Sequence, residues 1–175
     1  MRPPFLSATL LLSSLSLLVH ATPTPRDTNP SLPFNTTYLF TATLNLGPPS
    51  NPITIQDTPS AGVIIAEPIL NGTVTGPALN GTITAGFAFP SLLKNGTIQA
   101  PLIEMYGVTN DGAELYIRET GIGTPKGQIT RIELTIGGGE KYAALRDGFI
   151  LTAVNPSADR KTVMAKGYLV QNTMS

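Results

Sequence analysis

Cysteine and tryptophan are absent from this chain, and histidine occurs once, at position 20. Without cysteine there are no disulfides, no thiolate nucleophile and no thiolate metal site. His20 falls in a segment read below as a removable leader. A Ser-His-Asp triad and a histidine-ligated zinc or iron site are therefore excluded. Charge is scarce too, with 11 basic residues against 11 acidic ones and no basic stripe or cluster. Nucleic-acid binding has no electrostatic footprint in such a chain. Asp and Glu could still form a hard-cation site, but no EF-hand spacing occurs. Catalysis would fall to Asp, Glu, Tyr, Lys, Arg, Ser or Thr, and no cofactor is expected. "GGGEKY" at 137–142 lacks the strand–GxxxxGK[ST]–helix context of a phosphate loop and reads as a turn.

No apolar run reaches the roughly 20 residues of a convincing membrane span. The first 21 residues are expected to be a signal peptide. Arg2 supplies the positive region, "FLSATLLLSSLSLLV" the apolar region, and Val19-His20-Ala21 the small-residue cleavage pattern. The C-terminal "GYLVQNTMS" offers no hydrophobic tail for a lipid anchor. The predicted product is soluble and secreted, with net charge −1 once Arg2 is lost, from 10 basic and 11 acidic residues. Residues 22–36, rich in Thr and Pro, read as an extended linker suited to O-glycans or trimming. The remaining 37–173 is one domain, held by packing and β-ladders alone, which is feasible for about 150 residues.

Beyond residue 36 the pattern is β throughout. "TYLFTATLNL", "AGVIIA", "PILNGTVTG", "ALNGTITAGFAF", "GTIQAPLIEMYGV", "AELYIRETG", "QITRIELTIGG", "DGFILTAVNP" and "KTVMAKGYLVQ" are short β-branched or alternating runs. Each is bounded by Gly, Pro or Asn. The only helical candidate, "EKYAALRDG" at 140–148, is at most a short turn. The expected fold is all-β: a single antiparallel β-barrel of about eight or nine strands, whose closure removes exposed edges.

With its strands in order, the chain resembles the domain of unknown function 3237 family, in a secreted fungal branch. The resemblance rests on "YLFTATLNLGPP", "ILNGTVTGPALNGTITAG", "YGVTNDGAELYIRETGIG", "TRIELTIGGGEKYAAL" and "GYLV", spanning residues 38–170. It implies a small antiparallel barrel similar to those of allene oxide cyclases and dirigent proteins. It carries over no activity. Bacterial relatives often have an Asp-Trp pair where this chain reads Gly86-Phe87-Ala88-Phe89.

The segment "LIEMYGVTNDGAELYIRET" is the best candidate for a site. Asp111-Gly112 signals a two-residue type I′ turn, which would pair Tyr106 with Ile117 and Glu104 with Glu119. One face then carries Glu104, Tyr106, Val108, Leu115, Ile117 and Glu119. Two carboxyls about 5 Å apart at Cβ would repel when both ionised, raising the pKa of one, and a raised carboxyl beside the Tyr106 hydroxyl would form an acid–base pair. The competing reading leaves Glu104 and Glu119 in solvent or paired with Arg118, Arg131 or Lys141. A turn one residue longer would shift the whole alignment. Arg131 and Glu133 share a face of the next strand and read as a surface ion pair.

The tripeptide Asn-Gly-Thr occurs at Asn71, Asn80 and Asn95, and Asn35-Thr36-Thr37 is a further sequon. Asn before Gly suits tight turns, and export makes these sites N-glycan acceptors. Asn35 and Asn95 are expected to be the most accessible. The leading functional expectation is a secreted barrel binding a small apolar molecule in its lumen, with cofactor-free isomerase or cyclase activity as a variant. The alternative is a non-catalytic extracellular or wall-associated interaction glycoprotein. A hydrolase using paired carboxylates ranks third. No sequence feature forces oligomerisation.

Overall fold

The structure, a computed structural model, describes residues 34–50, 53–55, 62–93 and 96–173. The expected leader 1–21, residues 22–33 of the expected linker, and Asn95 lie outside the described residues. Ten strands form: β1 (Phe34–Leu46), β2 (Ile53–Ile55), β3 (Gly62–Ile64), β4 (Glu67–Thr75), β5 (Gly81–Leu93), β6 (Ile98–Thr109), β7 (Glu114–Thr124), β8 (Gly127–Ile136), β9 (Ile150–Pro156) and β10 (Thr162–Asn172). Each pairs antiparallel with its neighbours, in the order β2-β3-β5-β4-β1-β10-β9-β8-β7-β6, and β6 returns to β5. β3 and β4 run along β5 in succession, Val63 opposite Leu92 and Glu67 opposite Ala88. The result is the expected closed antiparallel barrel, of eight strands, with β2 outside it.

The wall follows from period-2 alternation. In β8, Gln128, Thr130, Ile132, Leu134 and Ile136 are buried while the residues between them are exposed. In β7, Leu115, Ile117 and Glu119 point inward and Tyr116 and Arg118 outward. Phe40, Ile83, Ile117 and Ile150 fill the middle of the barrel. Among the described residues, no helix is long and apolar enough to cross a membrane.

One end of the barrel is plugged. After Gly138 and Gly139, both left-handed (φ 81° and 63°), the chain forms a 3-10 turn (Gly139–Tyr142) and a short α-helix (Ala143–Arg146). Together they bury Tyr142 and Leu145. Asp111, in the β6–β7 turn, fastens this plug. It accepts hydrogen bonds from the Tyr142 hydroxyl at 2.7 Å, from Thr109 Oγ1, and from the Lys141 ammonium. Lys141 foremost, then Thr109 and Tyr142, hold the Asp111 carboxyl well below the usual carboxylate range. Tyr142→Phe should lower unfolding free energy by about 1 kcal/mol, the worth of one part-buried hydrogen bond. Urea titration of both proteins checks this.

Candidate functional site: the barrel lumen and its mouth

The β6–β7 connection sets which residues face the lumen. Thr109 N–H donates to Ala113 O and Gly112 N–H to Thr109 O, both at 2.9 Å, and Gly112 has φ 85°. Asn110, Asp111 and Gly112 thus form a three-residue loop with a left-handed glycine, not a two-residue type I′ turn. The register moves by one residue. Tyr106 faces Tyr116, Glu104 faces Arg118, and Ile103 faces Glu119.

That shift separates the expected catalytic set. Glu104 lies on the outer wall, with Arg118 Nε 3.8 Å away, and Tyr106 is 53% exposed on the same wall. Only Glu119 points into the lumen, where it is 1% exposed. Because successive side chains of a strand alternate faces, the slip exchanges the Glu104–Tyr106–Val108 face of β6 for Ile103 and Met105. The purely apolar character of Ile103 and Met105 was the sequence signal for the observed register. The expected Arg131–Glu133 surface pair is present, at 3.3 Å with both side chains exposed.

Inside the barrel, Glu119 forms the start of a polar row. Thr130 of β8 donates from its hydroxyl to Glu119 Oε1, and Thr130 lies opposite Thr152 of β9. Burial pushes the Glu119 carboxyl up from its usual 4.5 to about 7, and the Thr130 hydrogen bond only partly opposes this. Among the described residues, two buried side-chain polar atoms lack a partner, Gln99 Oε1 and Thr152 Oγ1. Both side chains belong to the lumen wall.

Towards the mouth, an internal cavity of about 30 Å³ is lined by Ile69, Ala88, Gln99, Ile103 and Gln128. Ile103, one of the lining residues, is the cross-strand neighbour of Glu119. The mouth is closed by an ion pair. Glu67, at the start of β4 and 6% exposed, accepts from Arg160 Nη2 at 2.8 Å and Nε at 3.2 Å through the same oxygen. Arg160, in the β9–β10 turn, has φ 56°, the one positive value at a non-glycine described residue. On the outer side of the pair, a groove of about 460 Å³ runs past Leu46, Pro48, Pro49 and Lys161. Sequence reading missed Glu67, Arg160, Gln99 and Thr152. Glu67 and Arg160 are 93 positions apart, and no local motif joins them.

The sequons are also placed. Asn35 stands in β1 opposite Gln171, rather than in a linker, and is exposed. Asn71 of β4 and Asn80, just before β5, are exposed as well. The Asn71 Oδ1 accepts from Asn45, and Asn80 exchanges hydrogen bonds with the Gly76 backbone in both directions. No group of three or more His, Cys, Asp or Glu side chains comes together among the described residues.

Comparison with known proteins matches this architecture. The family model described as "Protein of unknown function (DUF3237)" covers residues 34–151. The fold is similar to that of a conserved protein of unknown function from Rhodopseudomonas palustris, with TM-score 0.66 and 22% identity over 79% of this chain and 98% of that one. It is similar to a β-barrel-like protein from Acinetobacter baumannii, with TM-score 0.65 and 18% identity over 80% and 98%. An enzyme from Penicillium herquei is also similar, with TM-score 0.59 and 18% identity over 80% and 96%. At these identities the likeness concerns the fold alone. Among curated proteins, none matches the sequence.

Proposed function

We propose that this chain, which belongs to the DUF3237 family of proteins of unknown function, binds a small, largely apolar molecule at the mouth of its barrel and moves a proton on it with Glu119. The observation that carries this reading is the enclosed carboxyl. A buried acid costs folding free energy that an apolar residue of similar size would not. The residues facing Glu119 on the two neighbouring strands are Ile103 and Ile132, and Ile117 precedes it on the inner face of β7. A carboxyl with pKa near neutrality can take a proton from one atom of a ligand and return it to another. That is the chemistry of an isomerisation or cyclisation. The Thr130 hydroxyl orients the carboxyl, while Gln99 and Thr152 supply unpaired polar atoms to fix a ligand's polar group. The description of the Penicillium herquei relative as an enzyme supports a catalytic rather than a purely structural barrel.

The 30 Å³ cavity is about the volume of one water, so a ligand enters by parting Glu67 from Arg160. That movement joins the cavity to the outer groove. The left-handed backbone of Arg160 marks the turn that would move. We place the protein outside the cell, on the expected leader, with sugar on its exposed sequons. Native mass spectrometry of protein secreted from a eukaryotic host tests these points together. A small-molecule adduct is expected, lost in the mouth-filling variant Ala88→Phe, along with mass losses on deglycosylation. A spectrum with no adduct, or one that Ala88→Phe leaves unchanged, would sink the binding reading.

The alternative, a non-catalytic interaction glycoprotein, draws support from the outer wall. A concavity of about 760 Å³ lies there, well above the 30 Å³ of the internal cavity.

A further inference from the structure

Tyr106, removed from the lumen by the register shift, belongs to a second built feature. It faces Tyr116 directly across β6 and β7, and the two rings are 53% and 40% exposed. They border the 760 Å³ concavity. Three glycines, Gly107, Gly112 and Gly137, leave its floor without side chains. At Gly107 a Cβ would collide with the Thr82 carbonyl, so β5 and β6 approach closely there. A β-bulge between Ile83 and Ala85 brings Thr84 to the rim. The next outward row along the strands is Glu104 with Arg118, and Glu114 borders the other side.

This combination selects a ligand class. The volume lies within the roughly 300–1,000 Å³ of small-molecule sites rather than of flat protein contacts. Tyrosine rings offer broad apolar faces with polar edges. The rim supplies acceptors in Glu114 and Thr84 and a hydroxyl donor in Thr84, and the Glu104–Arg118 pair lies one row further along the strands. A pyranose has the matching amphipathic shape: a face of C–H bonds to lie on a ring and equatorial hydroxyls to reach the rim. A second copy of this chain fits less well, because it would have to desolvate Glu104, Arg118 and Glu114, and interface cores are depleted in charge. The acidic rim also disfavours an anionic polymer. From this geometry we propose that the outer concavity is a carbohydrate-binding platform, with Tyr106 and Tyr116 stacking on sugar rings of a neutral glycan. The site is independent of the lumen.

Cellohexaose, laminarihexaose and chitohexaose titrated into the purified full chain test it by calorimetry. Because the chain has no tryptophan, tyrosine fluorescence gives a second readout undisturbed by a brighter fluorophore. At least one glycan is expected to bind saturably. Tyr106→Ala and Tyr116→Ala should each weaken that binding about tenfold, about 1.4 kcal/mol of ring contact. Tyr38→Ala, which removes an exposed tyrosine on β1, should leave it unchanged. Circular dichroism confirms that each variant folds. The proposal is overturned if none of the three glycans binds, or if binding survives both substitutions. It is also overturned if light scattering shows a dimer that Tyr106→Ala or Tyr116→Ala converts to monomer, since the rings would then serve self-association.

Discussion

Glu119→Gln is expected to abolish a fall in stability of about 3 kcal/mol between pH 4.5 and 7. In the folded barrel burial raises the Glu119 pKa to about 7, against its usual 4.5. Between those values the folded state keeps a proton that the unfolded chain has released. Stability therefore declines as pH rises through this window, and levels off above it. The gap from 4.5 to 7, at 1.36 kcal/mol per pH unit, gives the magnitude of about 3 kcal/mol. Below pH 4.5 the carboxyl is protonated in both states, and the variant and the parent should be alike. Above pH 7 the variant should be the more stable, because glutamine keeps an acceptor for Thr130 without carrying a buried charge. Asp111 and Asp159 have pKa values held below the usual range by their hydrogen bonds. Their contribution is lost only as the solution turns more acid than about pH 4, outside the window. Urea midpoints at pH 5, 6, 7 and 8 measure the effect. A parent protein whose midpoint is level across that range would show an ordinary carboxylate, and the proton-transfer reading would go with it.

Arg160→Ala should cost about 2 kcal/mol, and Glu67→Leu in the same chain should recover most of that. Glu67 is buried, so removing its partner leaves a charge in the wall, a change that costs about 3–5 kcal/mol in fully buried pairs. Arg160 is partly exposed, its side chain at 37%, so water reaches the pair and the figure is discounted. Replacing the acid with leucine removes the orphaned charge and packs against Leu46 and Ile69 across the mouth, both part of the same cavity lining. A double-mutant cycle of the two single variants and the double, read by urea unfolding, gives the coupling directly. Additive effects would show that the ion pair does not close the mouth.

Much of the fold was legible because its cause is local. Alternation in "ELYIRE" and "QITRIELTI", with Gly, Pro and Asn at the breaks, placed β7, β8 and most other strands. It also put Glu119 on the Leu115–Ile117 face. "GGGEKY" read as a turn because it lacks the strand–GxxxxGK[ST]–helix context of a phosphate loop. The β6 register was not legible in "TNDGA", since Asp-Gly serves both a two-residue turn and a three-residue loop. One contact within the loop and one from outside the hairpin favour the longer loop. Thr109 Oγ1 accepts the Ala113 N–H at 2.8 Å, and Asp111 is drawn to Tyr142, 31 residues away.

The sequence by itself determined a cysteine-free, low-charge, all-β barrel and the residue types that could carry chemistry in it. Those properties follow from composition and a two-residue period, which each segment carries alone. Only the tertiary structure decided that Glu119 is enclosed, that Glu104 and Tyr106 face outward, and that Glu67 meets Arg160 at the mouth. These follow from barrel closure and one loop's length. A single residue of register exchanges inside for outside along a whole strand, and the turn sequence alone does not encode that choice.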